Sequence, residues 1–124
     1  MRAVVYARYS SELQSEASIE DQVRNAKRLI QDKGWHLVRS YADHAISGAT
    51  IIRPGYQSLL TDARRGEFDI VVAEGLDRLS RDQESVAALF KQMQFHGIKL
   101  FTQAEGEISE LHVGLKGTMN ALFL

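Results

Sequence analysis

Phe68-Asp69-Ile70-Val71-Val72-Ala73-Glu74-Gly75-Leu76-Asp77-Arg78-Leu79-Ser80-Arg81-Asp82 is the stretch that decides the fold. Phe68 to Ala73 is apolar apart from Asp69, the pattern of a strand covered on both faces. Leu76 to Asp82 turns polar and reads as a loop. Gln83 to His96 then places Val86, Leu89, Phe90 and Met93 on one helical face, and Gly97 stops that helix. Ile98 to Thr102 reads as the next strand. Strand, loop, helix and strand make a βαβ unit, whose crossover sets the two strands parallel.

The same alternation extends upstream. Ala3 to Tyr6 predicts a buried first strand, and the polar segment from Arg8 to Ala17 predicts a loop. Ser18, with Asp21 three residues on, reads as the cap of a helix carrying Ile19, Val23, Ala26, Leu29 and Ile30 inward. Lys33-Gly34 ends it, and Trp35 to Tyr41 alternates as a second strand. Asp43 to Arg53 reads as a loop. Pro54 opens a helix through Arg65, with Tyr56, Leu59, Leu60 and Ala63 inward and Gly66 after it. A last helix is expected from about Ile108. The result is an α/β domain with a central, mostly parallel sheet. Ligands in such sheets bind beyond the carboxyl ends of the strands. Ser10 follows the first strand and the Asp77–Asp82 loop follows the third, so both fall on one edge.

Composition narrows the chemistry. The 124 residues contain no Cys, which removes thiol catalysis, disulfides and Cys-based zinc sites. A formal net charge of -1 argues against a freestanding nucleic-acid-binding domain, which is usually basic. It permits a local basic pocket. No apolar segment is long enough to span a membrane, and the N-terminal run is too short for a signal peptide, so cytoplasmic placement is expected. The apolar end Met119-Asn120-Ala121-Leu122-Phe123-Leu124 carries no helix stop and suggests a segment of a longer protein.

At the marked edge the chemistry is that of a hydroxyl among guanidinium groups. Arg8 lies two residues before Ser10, on the same side of an extended backbone. Arg78 and Arg81 are one helical turn apart, and Arg53 stands at the mouth of the second helix. Arginines around a serine would stabilise the negative oxygens of a pentacoordinate phosphoryl transition state and lower the serine's pKa. Asp77 would orient an arginine or relay a proton. Asp82 reads as the cap of the following helix. Plainer readings stand beside these: Ser10 as a loop hydroxyl, Arg8 as a surface side chain, Leu76-Asp77-Arg78-Leu79 as a solvated turn. His36, His44, His96 and His112 sit in no triad motif and no Gly-x-Ser-x-Gly elbow is present, which disfavours a protease or esterase. Glu74, Glu105 and Glu107 form no recognisable Mg²⁺ cage. Met93 and Phe95 read as core or edge packing, and Trp35 as a core residue beside a turn.

Four ordered motifs carry a resemblance. Tyr6-Ala7-Arg8-Tyr9-Ser10, Ser18-Ile19-Glu20-Asp21-Gln22, Ser47-Gly48 with Arg53-Pro54-Gly55-Tyr56, and Leu76-Asp77-Arg78-Leu79-Ser80-Arg81-Asp82 resemble the catalytic domain of the serine recombinases, the resolvase and invertase family. The Ser-Ile-Glu-Asp-Gln and Arg-Pro-Gly-Tyr forms look most like the large serine recombinases of phages and mobile elements. The resemblance implies a three-layer α/β domain, a small central sheet flanked by helices. Residues 1–109 would form the catalytic core and 110–124 the start of a long oligomerisation helix, cut short, with the DNA-binding region absent. It implies Ser10 as the nucleophile, forming a 5′-phosphoserine linkage to DNA and releasing a 3′-hydroxyl before strand exchange and religation. Arg8, Arg53, Arg78 and Arg81 match the arginines that bind and activate the phosphate, Asp77 the active-site aspartate, and Gln22 a supporting polar residue. Neither metal nor other cofactor is implied. The implied partners are double-stranded attachment sites, bound through the missing C-terminal region, and further copies of the chain, as a homodimer and a synaptic homotetramer. The isolated segment would be inactive or weakly active. The alternatives are a non-enzymatic regulatory or assembly domain on the same scaffold, and a phosphate-ester hydrolase. Glu74-Gly75 departs from the family pattern, where Lys or Trp is frequent, and puts negative charge near the phosphate position. Gly114 and Gly117 fall within the expected last helix, each costing roughly 1 kcal/mol relative to Ala.

Overall fold

The computed structural model describes residues 1–8, 16–44, 53–79 and 83–110. Five strands form one sheet in the order β2-β1-β3-β4-β5. They are β1 (Arg2–Arg8), β2 (His36–Asp43), β3 (Ile70–Ala73), β4 (Lys99–Thr102) and β5 (Gly106–Glu107). The helices are α1 (Glu16–Asp32), α2 (Pro54–Arg64), α3 (Leu76–Leu79) and α4 (Gln83–Phe95). β1 pairs in parallel with β2 and β3, and β3 with β4, whereas β5 returns antiparallel to β4. This is the expected three-layer α/β fold.

The alternation of side chains along buried strands divides the core in two. Val4 and Tyr6 of β1 and Val71 and Ala73 of β3 face one layer, with Leu59, Ala63, Leu76, Leu79, Val86, Leu89 and Met93. Ala3, Val5, Ile70 and Val72 face the other, against Ala26 and Ile30 of α1, with Trp35 packed at its margin. The predicted helix stops hold: Gly34, Gly66 and Gly97 take φ values of 73°, 69° and 72°. Side chains strain in that region and glycine does not.

Several local expectations need correction. β1 continues to Arg8, which is a strand residue and not the start of the loop. α1 begins at Glu16, so Ser18 lies inside the helix rather than capping it. β2 runs two residues past Tyr41, so Asp43 is its last residue, opposite Arg8 in the register. Leu76–Leu79 is a short helix, not a loop. The β4–β5 hairpin had no sequence signal, because two residues are too few for a period. Met93 is fully buried as expected, but Phe95 is 85% exposed. The expected last helix is described only at Glu110, and the remainder of that segment lies outside the described residues, as do Ser47, Gly48 and Asp82. Among the described residues no helix is long and apolar enough to cross a membrane.

Candidate active site

The site is built where β1 ends beside the turn of β3 into α3. A helix as short as α3 leaves its carbonyl oxygens without intrahelical partners. Two arginines take them. Arg8 donates from Nη2 to the Asp77 carbonyl at 2.5 Å and from Nε to the Arg78 carbonyl at 3.1 Å. Arg53 donates from Nη1 to the Leu79 carbonyl at 3.1 Å. Cations at a helix C-terminus also suit its dipole. The carbonyls therefore fix both guanidinium groups in place without neutralising them.

Each arginine is braced from behind. Arg8, only 6% exposed, is not a surface side chain. Buried Gln22 of α1 accepts from the Arg8 N–H at 3.1 Å and donates to the Arg8 carbonyl at 3.0 Å. It thus pins the strand end from which the chain proceeds to Ser10. Arg53 stacks on Tyr56, its guanidinium carbon 3.9 Å from the ring centroid. Tyr56 in turn meets Tyr6 edge to face at 5.9 Å.

Asp43 organises this second brace. Its carboxylate accepts from the Tyr6 hydroxyl at 2.6 Å, the Gly55 N–H at 2.7 Å and the Tyr56 N–H at 2.9 Å. Arg53, the N-cap residue of α2, makes no capping bond with its own side chain. A carboxylate from β2 caps that helix instead, where negative charge is favoured. Burial, and then the Asp43 carboxylate, push the Tyr6 hydroxyl's pKa far up, while the charges of Arg53 and Arg8 both pull it down. Tyr6 therefore senses both guanidinium groups at once. Sequence reading missed Asp43. A polar residue between a strand and a glycine-containing segment reads as loop, and its role follows only from the β1–β2 register.

Arg78 of α3, unlike its exposed neighbour Asp77, is half-buried. Its Nη2 lies 3.4 Å from the Glu74 carboxylate, and its buried Nε has no hydrogen-bond partner. The Asp77 carboxylate folds back over Gly75, where an added Cβ would lie 2.7 Å from Oδ1. It is the Asp77 carbonyl, not its carboxylate, that holds Arg8. Of the sequence-predicted residues, Arg8, Arg53, Asp77, Arg78 and Gln22 thus meet at one sheet edge. Ser10 and Arg81 lie outside the described residues. Among the described residues no group of His, Asp or Glu could hold a metal ion. The arrangement concentrates positive charge on fixed donors, which suits an anion carrying several oxygens.

The family model described as resolvase, N-terminal domain, matches residues 3–122, and the chain belongs to that family. The fold recurs in solved structures. The N-terminal catalytic domain of TP901-1 integrase is 24% identical with a TM-score of 0.79, over 98% of this chain and 95% of that one. A resolvase family site-specific recombinase from Streptococcus pneumoniae is 22% identical with a TM-score of 0.82, over 98% and 87%. The C-terminal catalytic domain of ISC1926 TnpA, an IS607-like serine recombinase, is 24% identical with a TM-score of 0.74, over 98% and 80%.

Proposed function

We propose that this chain is the catalytic domain of a site-specific DNA recombinase in which Ser10 is the nucleophile. The observation that carries the reading is the pair of guanidinium groups of Arg8 and Arg53, braced by the carbonyls of α3, with Arg78 on that same short helix, where β1 hands the chain on to Ser10. The Ser10 oxygen attacks the scissile phosphorus and gives up its proton. The bond from phosphorus to the 3′ oxygen breaks, that oxygen takes a proton, and the 5′ phosphate stays on the serine. After strand exchange a 3′-hydroxyl attacks the phosphoserine and reverses the step. The phosphodiester energy is held throughout, so the cycle requires no high-energy cofactor. Arginines meet the charge that develops on the phosphate oxygens, the task a metal performs in other phosphoryl-transfer sites. Arg81 joins them, and Asp77 serves the leaving oxygen. Duplex attachment sites are held by a C-terminal region beyond this segment, and exchange proceeds in a homotetramer.

The test incubates the full-length recombinase with its attachment-site duplex, without added metal. A denaturation-resistant adduct mapped to Ser10 by mass spectrometry is expected. Ser10→Ala should abolish it while sparing the fold. Arg8→Ala or Arg78→Ala should slow cleavage by roughly a hundredfold or more while changing DNA binding far less. A bound, assembled complex that yields no adduct, even on a nicked substrate that cannot religate, would favour a regulatory domain on the same scaffold.

A further inference from the structure

We infer that Glu74 is a displaceable counter-ion of Arg78: it occupies one end of the guanidinium edge that a DNA phosphate takes over, and so sets how readily the site accepts the anion. The identity of that anion rests on the recombinase reading above.

The argument begins with which nitrogens are engaged. Nε and Nη2 form one side of a guanidinium, the side that takes two oxygens of a carboxylate or phosphate together. Glu74 meets only Nη2, at 3.4 Å, and Nε is buried without a partner. Charge-assisted bonds of this kind are usually about 2.7–2.9 Å long. The pair is therefore long, and it leaves a donor of a cation unsatisfied, which is unfavourable in a buried position.

The two partners differ in freedom. The Arg78 side chain is 17% exposed and that of Glu74 45%. Glu74 has its backbone carbonyl tied to the Ala104 N–H at 3.1 Å. Only its side chain must swing into water for the edge to open. A phosphate oxygen pair satisfies Nε and Nη2 at once, which the carboxylate in this position does not. Glu74 also places a negative charge beside the incoming anion. Removing that charge while keeping the shape lightens the competition.

The experiment is a titration of the chain with inorganic phosphate at constant ionic strength, read by the Arg78 Nε–H resonance, which Arg78→Lys identifies by its loss. That resonance should move on binding. In Glu74→Gln the midpoint should fall about two- to fivefold, the range that a partly exposed ion pair supplies. Glu20→Gln, the same charge change on the exposed face of α1, should leave it in place. An unchanged or raised midpoint in Glu74→Gln, or an Arg78 signal that phosphate never moves, overturns the inference. In the full-length recombinase, Glu74→Gln should raise kcat/KM for cleavage by the same factor with kcat unchanged. A fall in kcat would mean that Glu74 orients Arg78 for the reaction, and would also overturn it. Absence of any Ser10 adduct from the wild type removes the recombinase reading instead, and the phosphate titration still decides the role of Glu74.

Discussion

A carboxylate that accepts from a phenol and two backbone N–H groups has its hydrogen-bonding capacity well used, and Asp43 is in that state. Asp43→Asn removes the charge and turns an amide donor toward donors. The expected loss of stability is about 2–3 kcal/mol, the range for hydrogen bonds to a charged group. Tyr6→Phe removes one of the three donors and should cost about 1–2 kcal/mol. Because both act on one carboxylate, the double variant should be less destabilised than the sum of the singles. Urea unfolding of the four proteins checks this, and strict additivity would mean that the Tyr6–Asp43 bond adds nothing. The arginines were easier to read than Asp43 for a physical reason. Arg8, Arg53 and Arg78 stand at boundaries that strand and helix periodicity already mark, so their convergence follows from strand order alone. Asp43 acts across the sheet, through a pairing register that no local pattern encodes. Gln22 is a buried polar residue on the inward face of a legible helix, three residues from Ile19 and four from Ala26, and only the family resemblance singled it out.

At the level of elements, α2 and α3 meet the sheet edge through glycines with different tolerances. An added Cβ on Gly55 would lie 2.7 Å from the Ala42 carbonyl oxygen, a backbone atom of β2 that cannot move alone. Gly55→Ala should therefore lift the start of α2 from β2, lengthen both Asp43 bonds to it, and destabilise the fold by about 1–3 kcal/mol. An added Cβ on Gly75 would meet the Asp77 carboxylate at the same 2.7 Å, but that is the tip of an exposed side chain, which can rotate away. Gly75→Ala should leave the unfolding midpoint nearly unchanged and instead slow DNA cleavage by displacing that carboxylate. Thermal unfolding beside a cleavage assay separates the two. Equal stability losses would show that the Gly75 turn is as rigid as β2. α3 explains why the sequence resolves elements unevenly. Helices of eleven to seventeen residues, such as α2 and α1, show a period. Four residues of Leu-Asp-Arg-Leu show none, and their helical form matters chiefly because it directs carbonyls at Arg8 and Arg53.

Across the whole molecule, two carboxylate braces tie elements that the buried core alone does not fix. Asp69, just before β3, accepts from the Arg2 backbone N–H at 2.8 Å and from its guanidinium at 3.2 Å, joining β3 to the start of β1. Asp62 of α2 accepts from the Tyr41 hydroxyl at 2.6 Å and from Arg39 at 2.5 Å, joining α2 to the edge strand β2. The hydrogen bond from Arg2 holds the Asp69 carboxyl below its usual range, and the bond from Tyr41 does the same for Asp62. Reciprocally, burial and then Asp62 push the Tyr41 hydroxyl up to about 12. A carboxyl whose folded pKa is lowered stabilises the fold fully above its unfolded value of about 4, and the contribution drains away as pH falls through the folded value. Stability should therefore decline on acidification. The variant Asp62→Asn/Asp69→Asn should be less stable than wild type near neutrality, and the gap should narrow as pH falls below about 4 and close only once pH is below the lowered folded values of both carboxyls. Urea midpoints measured across that range decide the point. A gap between the two proteins that stays constant with pH would mean that the braces act through shape alone, with no contribution from the ionised carboxylates.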